Sequence, residues 1–243
     1  YNCLIVEDAC HAPGPLRVNK SNKEVINNTC IYSVACTYSF HAIKHIAMGE
    51  GGCLTTNDDN IAKIVREKRN HGMIRNKDEM KFLPEKNAKW YYEMHDMGWN
   101  YRADELTCAL GLSQLKRLES NIKERKTLIE EYYSSLSQNP HITLPLKSCN
   151  NYYNIWHLFS ILIDFKNLGK SRGIVMKELE EKGIGTQVHY IPLFLQPYYR
   201  KNQLINLEGA MQYYNATLSI PLYSGLNKED IRYISSKINE VII

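Results

Sequence analysis

The longest helical pattern in the chain runs from Ala103 to Leu136, and it dictates how the rest is organised. Leu106, Leu110, Leu115, Leu118, Ile122 and Ile129 recur near helical spacing with Lys, Arg and Glu between them, as in a helix with one apolar stripe. Pro140 and Pro145 end the pattern, since proline cannot continue a helix. Before it, from Tyr1 to about Asp58, short apolar runs alternate with turns as in the sheet of an α/β domain, with Lys20–Asn28 a polar excursion. Ile61–Asn70 reads as a short helix, and the charged, aperiodic stretch Arg75–Tyr92, interrupted by Pro84, as a loop. After it comes a smaller α/β pattern: strand Trp156–Ile163, helix Arg172–Lys182 ending at Gly183, and strand Gly185–Tyr190. Helix Glu208–Leu218, extended Ser219–Tyr223, and a closing helix Lys228–Ile242 capped by Asn227 complete it. The expected division is a large-domain portion over 1–136, with the long helix as linking spine, and a small domain over 137–243.

Composition narrows the class of molecule. With 243 residues, 44% of them hydrophobic and 23% charged, the chain can bury one full core and a second, smaller one. A net charge of +4 is too modest to argue for nucleic acid, although an acidic small molecule would suit local Lys and Arg. The seven cysteines include no C-x-x-C spacing and most fall inside apolar runs; disulfides and structural zinc are not expected, and a reducing, cytoplasmic setting is. No apolar run reaches a membrane-spanning length.

Chemistry concentrates near the start. Lys44 follows Tyr38-Ser39-Phe40-His41-Ala42-Ile43 and precedes Gly49-Glu50-Gly51-Gly52, while Glu7-Asp8-Ala9-Cys10-His11 lies upstream. Asp8 directly follows the apolar run Leu4-Ile5-Val6, which places it at the end of a buried strand, where the side chains of an α/β sheet meet ligands. A carboxylate there suits a cationic partner such as the protonated ring nitrogen of pyridoxal phosphate. Ser39 ends a second strand-like run, Cys30–Tyr38, and its hydroxyl can donate to a phosphate. The glycines after Lys44 permit a tight turn into a third strand, Gly52–Thr56. In this company Lys44 has the look of a Schiff-base lysine. Each signal is weak alone: a Glu-Asp pair is usually a cap or turn, a glycine run usually only a turn, and most of the 30 Lys and Arg are solvated.

Their order is specific. Glu7-Asp8-Ala9-Cys10-His11, then Ser39 to Lys44, then Gly49-Glu50-Gly51-Gly52 resembles the DegT/StrS family of pyridoxal-phosphate sugar aminotransferases. His71-Gly72-Met73, Asn100-Tyr101-Arg102, Ala109 to Leu115, Gln187-Val188-His189-Tyr190 and Leu218-Ser219-Ile220-Pro221-Leu222 continue the resemblance. It implies an aspartate aminotransferase-like transferase of fold type I, with pyridoxal 5'-phosphate as cofactor. It also implies amino transfer from a donor, glutamate, to the 4-keto carbon of a nucleotide-linked 6-deoxy sugar. Lys44 and Asp8 would be catalytic, and His11, Ser39 and Asn100 would contact the cofactor, Asn100 across a homodimer with shared active sites. His189 and Tyr190 would lie on the nucleotide-sugar side. A hydrogen-bonded core histidine is the competing reading for His11 and His189. Lys44 argues against a dehydratase branch of the family that carries histidine there. A Rossmann oxidoreductase is disfavoured because no G-x-G-x-x-G follows a strand.

One departure accompanies these matches. The family's large domain carries a substantial portion before the Glu-Asp strand, including a helix start that binds the cofactor phosphate and an aromatic that stacks on the ring. The chain opens instead at Tyr1, three residues before Leu4. The resemblance therefore implies the C-terminal part of a longer protein, with part of the large-domain sheet and the small domain. The alternative expectation is a catalytically inactive or incomplete fragment of such an enzyme, acting only as a partner chain or a relic.

Overall fold

The computed structural model describes residues 3–14, 17–18, 25–26, 30–82, 85–86, 88–149, 152–200 and 207–243. The chain forms two compact units that meet in sequence at Leu118/Glu119. The division expected at 136/137 differs from this one in assigning helix Leu118–Leu136 to the first part. The helical pattern forms two helices rather than one, Glu105–Lys116 and Leu118–Leu136. At Arg117, φ −98° and ψ −1° turn its amide onto Gln114 O at 3.0 Å, one residue short of α-helical reach. The second helix then supplies Leu128, Ile129, Tyr132 and Leu136 to the core of the second unit.

The first unit is built on a three-stranded sheet. Val6–Asp8 runs parallel to Ala35–Ser39, which pairs antiparallel with Gly52–Thr55. The apolar run expected as a buried central strand is an edge here: the strand begins only at Val6, and Leu4 and Val6 are 80% and 61% exposed. Apolar side chains mark a strand made to be covered, but burial requires a neighbour on that edge, and the described residues supply none. The buried cluster beneath the sheet is correspondingly small, Ala9, Cys30 and Cys36 with Ala12 and Tyr38 against them.

Helix Asp59–Lys68 starts where Asp58 accepts the amides of Asn60 and Ile61 at 2.8 and 3.1 Å, the usual role of an N-cap carboxylate. Helix Glu105–Lys116 is capped in the same way by Asp104, which accepts from Thr107 N at 2.9 Å. Its Leu106, Leu110, Leu112 and Leu115 are exposed, and only Gly111 is buried.

The expected loop Arg75–Tyr92 holds a 3-10 turn, Lys77–Glu79, and leads into strand Glu93–Met94. Buried Glu93 ties it down, accepting from the amides of Lys81 and Phe82 at 2.7 and 2.8 Å and the Tyr91 hydroxyl at 3.0 Å, with His95 Nε2 on its other face. Burial alone would raise the Glu93 pKa; His95, the two amides and Tyr91 outweigh it and bring it to about 2 from 4.5. A depressed folded value contributes stability that is present above about pH 4.5 and is lost as pH falls toward 2. Hydrogen exchange at Lys81 and Phe82 should therefore lose protection across that window and keep it in more neutral solution. Uniform protection down to the lower value would refute the assignment.

The second unit has a three-stranded antiparallel sheet in the order Thr217–Ile220, Phe159–Ile163, Ile142–Thr143. Phe159, Ile161 and Ile163 alternate inward, as a half-buried strand requires. Helices Leu118–Leu136, Arg172–Glu181 and Lys228–Val241 cover them with Tyr132, Leu179 and Ile238 among others. Tyr132 stacks on Phe159 at 4.9 Å between centroids. Buried Arg125 donates to the carbonyls of Trp156, His157 and Leu222 at 3.3, 3.4 and 3.1 Å, so its charge stitches two loops to the helix. Asn227 and Asp230 form a reciprocal capping box that opens the closing helix. The strand expected over Gly185–Tyr190 is a single bridge, Gln187 to Ser219. The next amide, Val188, is taken by the Gln187 side chain at 2.9 Å, so no ladder propagates.

Candidate active site

Sheet register assembles the first part of the site. Asp8 pairs with Thr37; side chains alternate along a strand, so Ser39, two residues beyond Thr37, shares a sheet face with Asp8. Beyond Asp8 the chain folds back in a turn whose signature was readable, since Asp side chains commonly bond the backbone two residues on. Asp8 Oδ1 accepts the Cys10 amide at 3.0 Å, and Ala12 N closes the turn on Ala9 O at 2.9 Å.

Ser39 faces Gly52 across the hairpin, and the segment between them carries Lys44. Its base is closed by Phe40 N to Gly51 O at 2.8 Å and Met48 N to Phe40 O at 2.9 Å. Within it, Lys44 N bonds His41 O at 2.9 Å, and Ser39 Oγ accepts the His41 amide at 3.4 Å. Gly49 adopts φ +83°, and a Cβ at Gly52 would lie 2.6 Å from Tyr38 O. The glycine cluster therefore serves a left-handed turn and a close backbone approach.

The Asp8 carboxylate is set mainly by Cys10, and the charge of Lys44 is the smallest of the influences on it. The Cys10 thiol and then the Cys10 amide, both hydrogen-bonded to the carboxylate, lower the Asp8 pKa; burial opposes them, and the charges of His11 and Lys44 assist. The same hydrogen bond, donated by the Cys10 thiol to Asp8, raises the pKa of the thiol. Lys44 is partly exposed, and its side chain makes no hydrogen bond or ion pair among the described residues. The structure thus places a hydroxyl on the sheet face of a carboxylate held ionised, and the segment beyond that hydroxyl carries an amine with no hydrogen bond or ion pair among the described residues. Cys10 is the member of this group that the sequence reading passed over.

Asn100 stands apart and is exposed. It forms a bridge with Asn70, flanked by His71 N to Trp99 O and Tyr101 N to Arg69 O, each 2.9 Å. The glycines make this crossing possible: a Cβ at Gly72 would lie 2.0 Å from Asp96 O, and one at Gly98 2.2 Å from Gly72 N. The His71-Gly72-Met73 motif is therefore a structural knot that presents Asn100. Asn100 makes no hydrogen bond to Asp8, Ser39 or Lys44 among the described residues.

His189 and Tyr190 belong to the second unit. His189 Nδ1 lies 2.8 Å from Ser219 Oγ, and its ring meets the exposed Tyr190 ring edge-on at 4.6 Å. A cavity of about 720 Å³ in the same unit, lined by Thr143, Asp164, Lys166, Gln212 and Tyr213 among others, contains none of the expected residues. Among the described residues no group of three His, Cys, Asp or Glu is placed to hold a metal ion, and no helix is long and apolar enough to cross a membrane.

Comparison with known proteins identifies the family. The model of the DegT/DnrJ/EryC1/StrS aminotransferase family matches residues 1–239. The chain is 32% identical over 249 residues to the spore coat polysaccharide biosynthesis protein SpsC of Bacillus subtilis, covering 100% of this chain and 60% of that protein. It is 30% identical over 244 residues to the UDP-4-amino-4,6-dideoxy-N-acetyl-β-L-altrosamine transaminase of Campylobacter jejuni, covering 100% of this chain and 59% of that one. Among solved structures, Helicobacter pylori PseC, an aminotransferase involved in the biosynthesis of pseudoaminic acid, superposes with a TM-score of 0.82 at 28% identity, over 98% of this chain and 59% of PseC. The chain therefore spans about three fifths of the length of these relatives, with an aspartate aminotransferase-like α/β fold, and it belongs to the DegT/DnrJ/EryC1/StrS aminotransferase family.

Proposed function

We propose that the chain carries the lysine-bearing part of a pyridoxal 5'-phosphate-dependent aminotransferase. In this reading it moves an amino group from glutamate to the 4-keto carbon of a nucleotide-linked 6-deoxy sugar destined for surface glycans. The observation that carries the proposal is the sheet register that puts Asp8 and Ser39 on one face, with Lys44 in the segment that joins Ser39 to its paired strand. The residues fit the cofactor: Asp8 offers a fixed negative charge to a ring nitrogen, Lys44 an uncommitted amine, and Ser39 a hydroxyl for the phosphate.

When bound, the cofactor supplies an electron sink for a carbanion at the donor's Cα. Asp8 keeps the proton on the ring nitrogen, because a carboxylate whose pKa is depressed stays charged beside that cation. Lys44 Nζ takes the proton from the donor's Cα and returns one to the sugar carbon in the second half of the cycle, as general base and then general acid. Ser39 and His11 hold the phosphate and ring edge. Asn100, exposed on its knot, reaches the cofactor phosphate of a second copy, so the working form is a homodimer in the cytoplasm. His189 and Tyr190 contact the sugar nucleotide. The altrosamine transaminase and polysaccharide biosynthesis relatives support this substrate class.

A second reading is favoured by the open Leu4–Val6 edge and the exposed leucines of helix Glu105–Lys116: a chain that does not turn over alone and acts only as a partner. Amino transfer from glutamate across a panel of 4-keto-6-deoxy sugar nucleotides separates the two. The enzyme reading expects turnover by the 243-residue chain with added cofactor, and turnover of none of the panel supports the partner reading. In the same assay Asn100→Ala should weaken cofactor retention without unfolding the chain. A monomer that keeps its cofactor would rule out the shared site.

A further inference from the structure

Helix Glu208–Ala216 of the second unit presents one face that is poorly made for packing. Gly209, Gln212, Tyr213 and Ala216 fall at the i, i+3, i+4, i+7 spacing of a single helix face, and all four line the cavity of about 720 Å³. Two of them are too small to reach across it, and the other two carry polar tips. A Cβ at Gly209 would meet nothing within 4 Å, so the gap is set by the sequence of the helix.

The sheet supplies another wall. Leu162 pairs directly with Thr143 on one side and Thr217 on the other, so the three side chains form one row on one sheet face. Thr143 and Leu162 line the cavity, with half-buried Phe165 beside them. Thr217 is wholly buried, and its hydroxyl has no hydrogen-bond partner among the described residues. This face therefore carries hydrogen-bonding capacity that the fold does not use.

The polar groups of the cavity converge without satisfying one another. Thr143, Lys166, Gln212, Tyr213 and Asn215 all line it, and none of their side chains has a hydrogen bond or ion pair among the described residues. Asp164 is already occupied, accepting from Asn167 N at 3.1 Å and Asn167 Nδ2 at 2.6 Å. Two amides and two hydroxyls each offer both a donor and an acceptor. The hydroxyls of a sugar ring also donate and accept, and its C–H face lies flat on aromatic surface of the kind Tyr213 and Phe165 provide. Lys166 alone is little charge for a diphosphate. Water serves these groups one at a time, whereas a sugar serves several together and covers Leu162 and Phe165 as well.

We propose that this cavity is a binding site for a pyranose. Its volume of about 720 Å³ falls within the roughly 300–1,000 Å³ usual for small-molecule sites. None of the residues given a role in amino transfer lines it, so the site does not rest on that reading.

The test titrates the full 15N-labelled chain with the methyl glycosides of glucose, galactose, mannose and N-acetylglucosamine and follows the backbone amides of Gln212, Tyr213 and Asn215. At least one glycoside should shift them saturably, with a Kd on the order of 1 mM for a ligand of that size. Gln212→Ala, at an exposed position, should weaken that binding roughly three- to tenfold, the worth of one hydrogen bond. Gly209→Leu fills the cavity. Its side chain enters open space and replaces a helical glycine, so this variant should melt higher than wild type and bind no glycoside. Adenosine and inorganic phosphate are the comparison ligands, and neither should shift the three amides at the same concentrations. Binding of either as tight as that of the best glycoside would overturn the sugar assignment. No saturable shift from any glycoside, or glycoside binding that is unchanged by Gln212→Ala or survives in Gly209→Leu, would overturn the site. The titration needs neither pyridoxal phosphate nor turnover, so its failure is distinguishable from failure of the transferase reading.

Discussion

Lys44→Ala should reduce amino transfer by a factor on the order of 10⁴, the upper range for a group that moves protons in the transition state. The fold should survive. Lys44 makes no side-chain hydrogen bond or ion pair among the described residues and is only partly buried, so its removal should change stability by about 0.5 kcal/mol or less. Lys44→Arg is the informative companion. Arginine keeps the charge that acts on Asp8, but its guanidinium stays protonated and cannot serve as a base. If Lys44 only supplied positive charge, arginine would restore much of the rate. The proton-transfer role expects no rescue, and a rate within tenfold of wild type in either variant would refute that role.

Asp8→Asn should lower kcat by about 10²- to 10³-fold with the cofactor still bound. Asparagine preserves the shape of the side chain and can still accept the Cys10 amide, which lies 3.0 Å from the wild-type carboxylate, so the turn after the strand should remain. The lost feature is the charge that keeps the ring nitrogen protonated. Asp8→Glu should recover part of the loss, because the charge returns at a longer reach. The pH profile gives an independent check. The folded Asp8 value is lowered by Cys10, with help from His11 and Lys44, so the carboxylate stays ionised above its ordinary range and protonates only below it. An acid limb of kcat set by Asp8 should therefore fall below the usual aspartate value. A limb at or above that value would assign the essential carboxylate elsewhere.

The parts of the site that the sequence made legible are those set by local chain geometry. Asp8 after an apolar run, Ser39 at a strand end and a left-handed glycine after Lys44 are each decided within a few residues. Strand register puts Asp8 and Ser39 on one sheet face, and Lys44 follows in the segment after Ser39. The Asn227 cap was legible on the same ground. What was missed depends on pairing across long separations. No local signal says that Ser160 lies opposite Ser219, or that Ser219 reaches back to His189. Nor does helical periodicity register one residue outside helical geometry, and so Arg117 divides a pattern that reads as continuous. Periodicity also names the apolar face of a helix without naming what covers it. The leucines of Leu118–Leu136 meet a core, whereas those of Glu105–Lys116 face outward. The Leu4–Val6 run makes the same point for a strand: its composition suits a sheet interior, and its exposure is set by what pairs along its free edge.

The central claim is that Lys44 is the residue through which this chain engages pyridoxal 5'-phosphate. A visible absorption titration with the cofactor, run in parallel on the wild-type chain and Lys44→Ala, tests it most directly. The account predicts a saturable band, red-shifted from free cofactor, in the wild type and its absence in the variant. The same band in both proteins, or in neither, would contradict it.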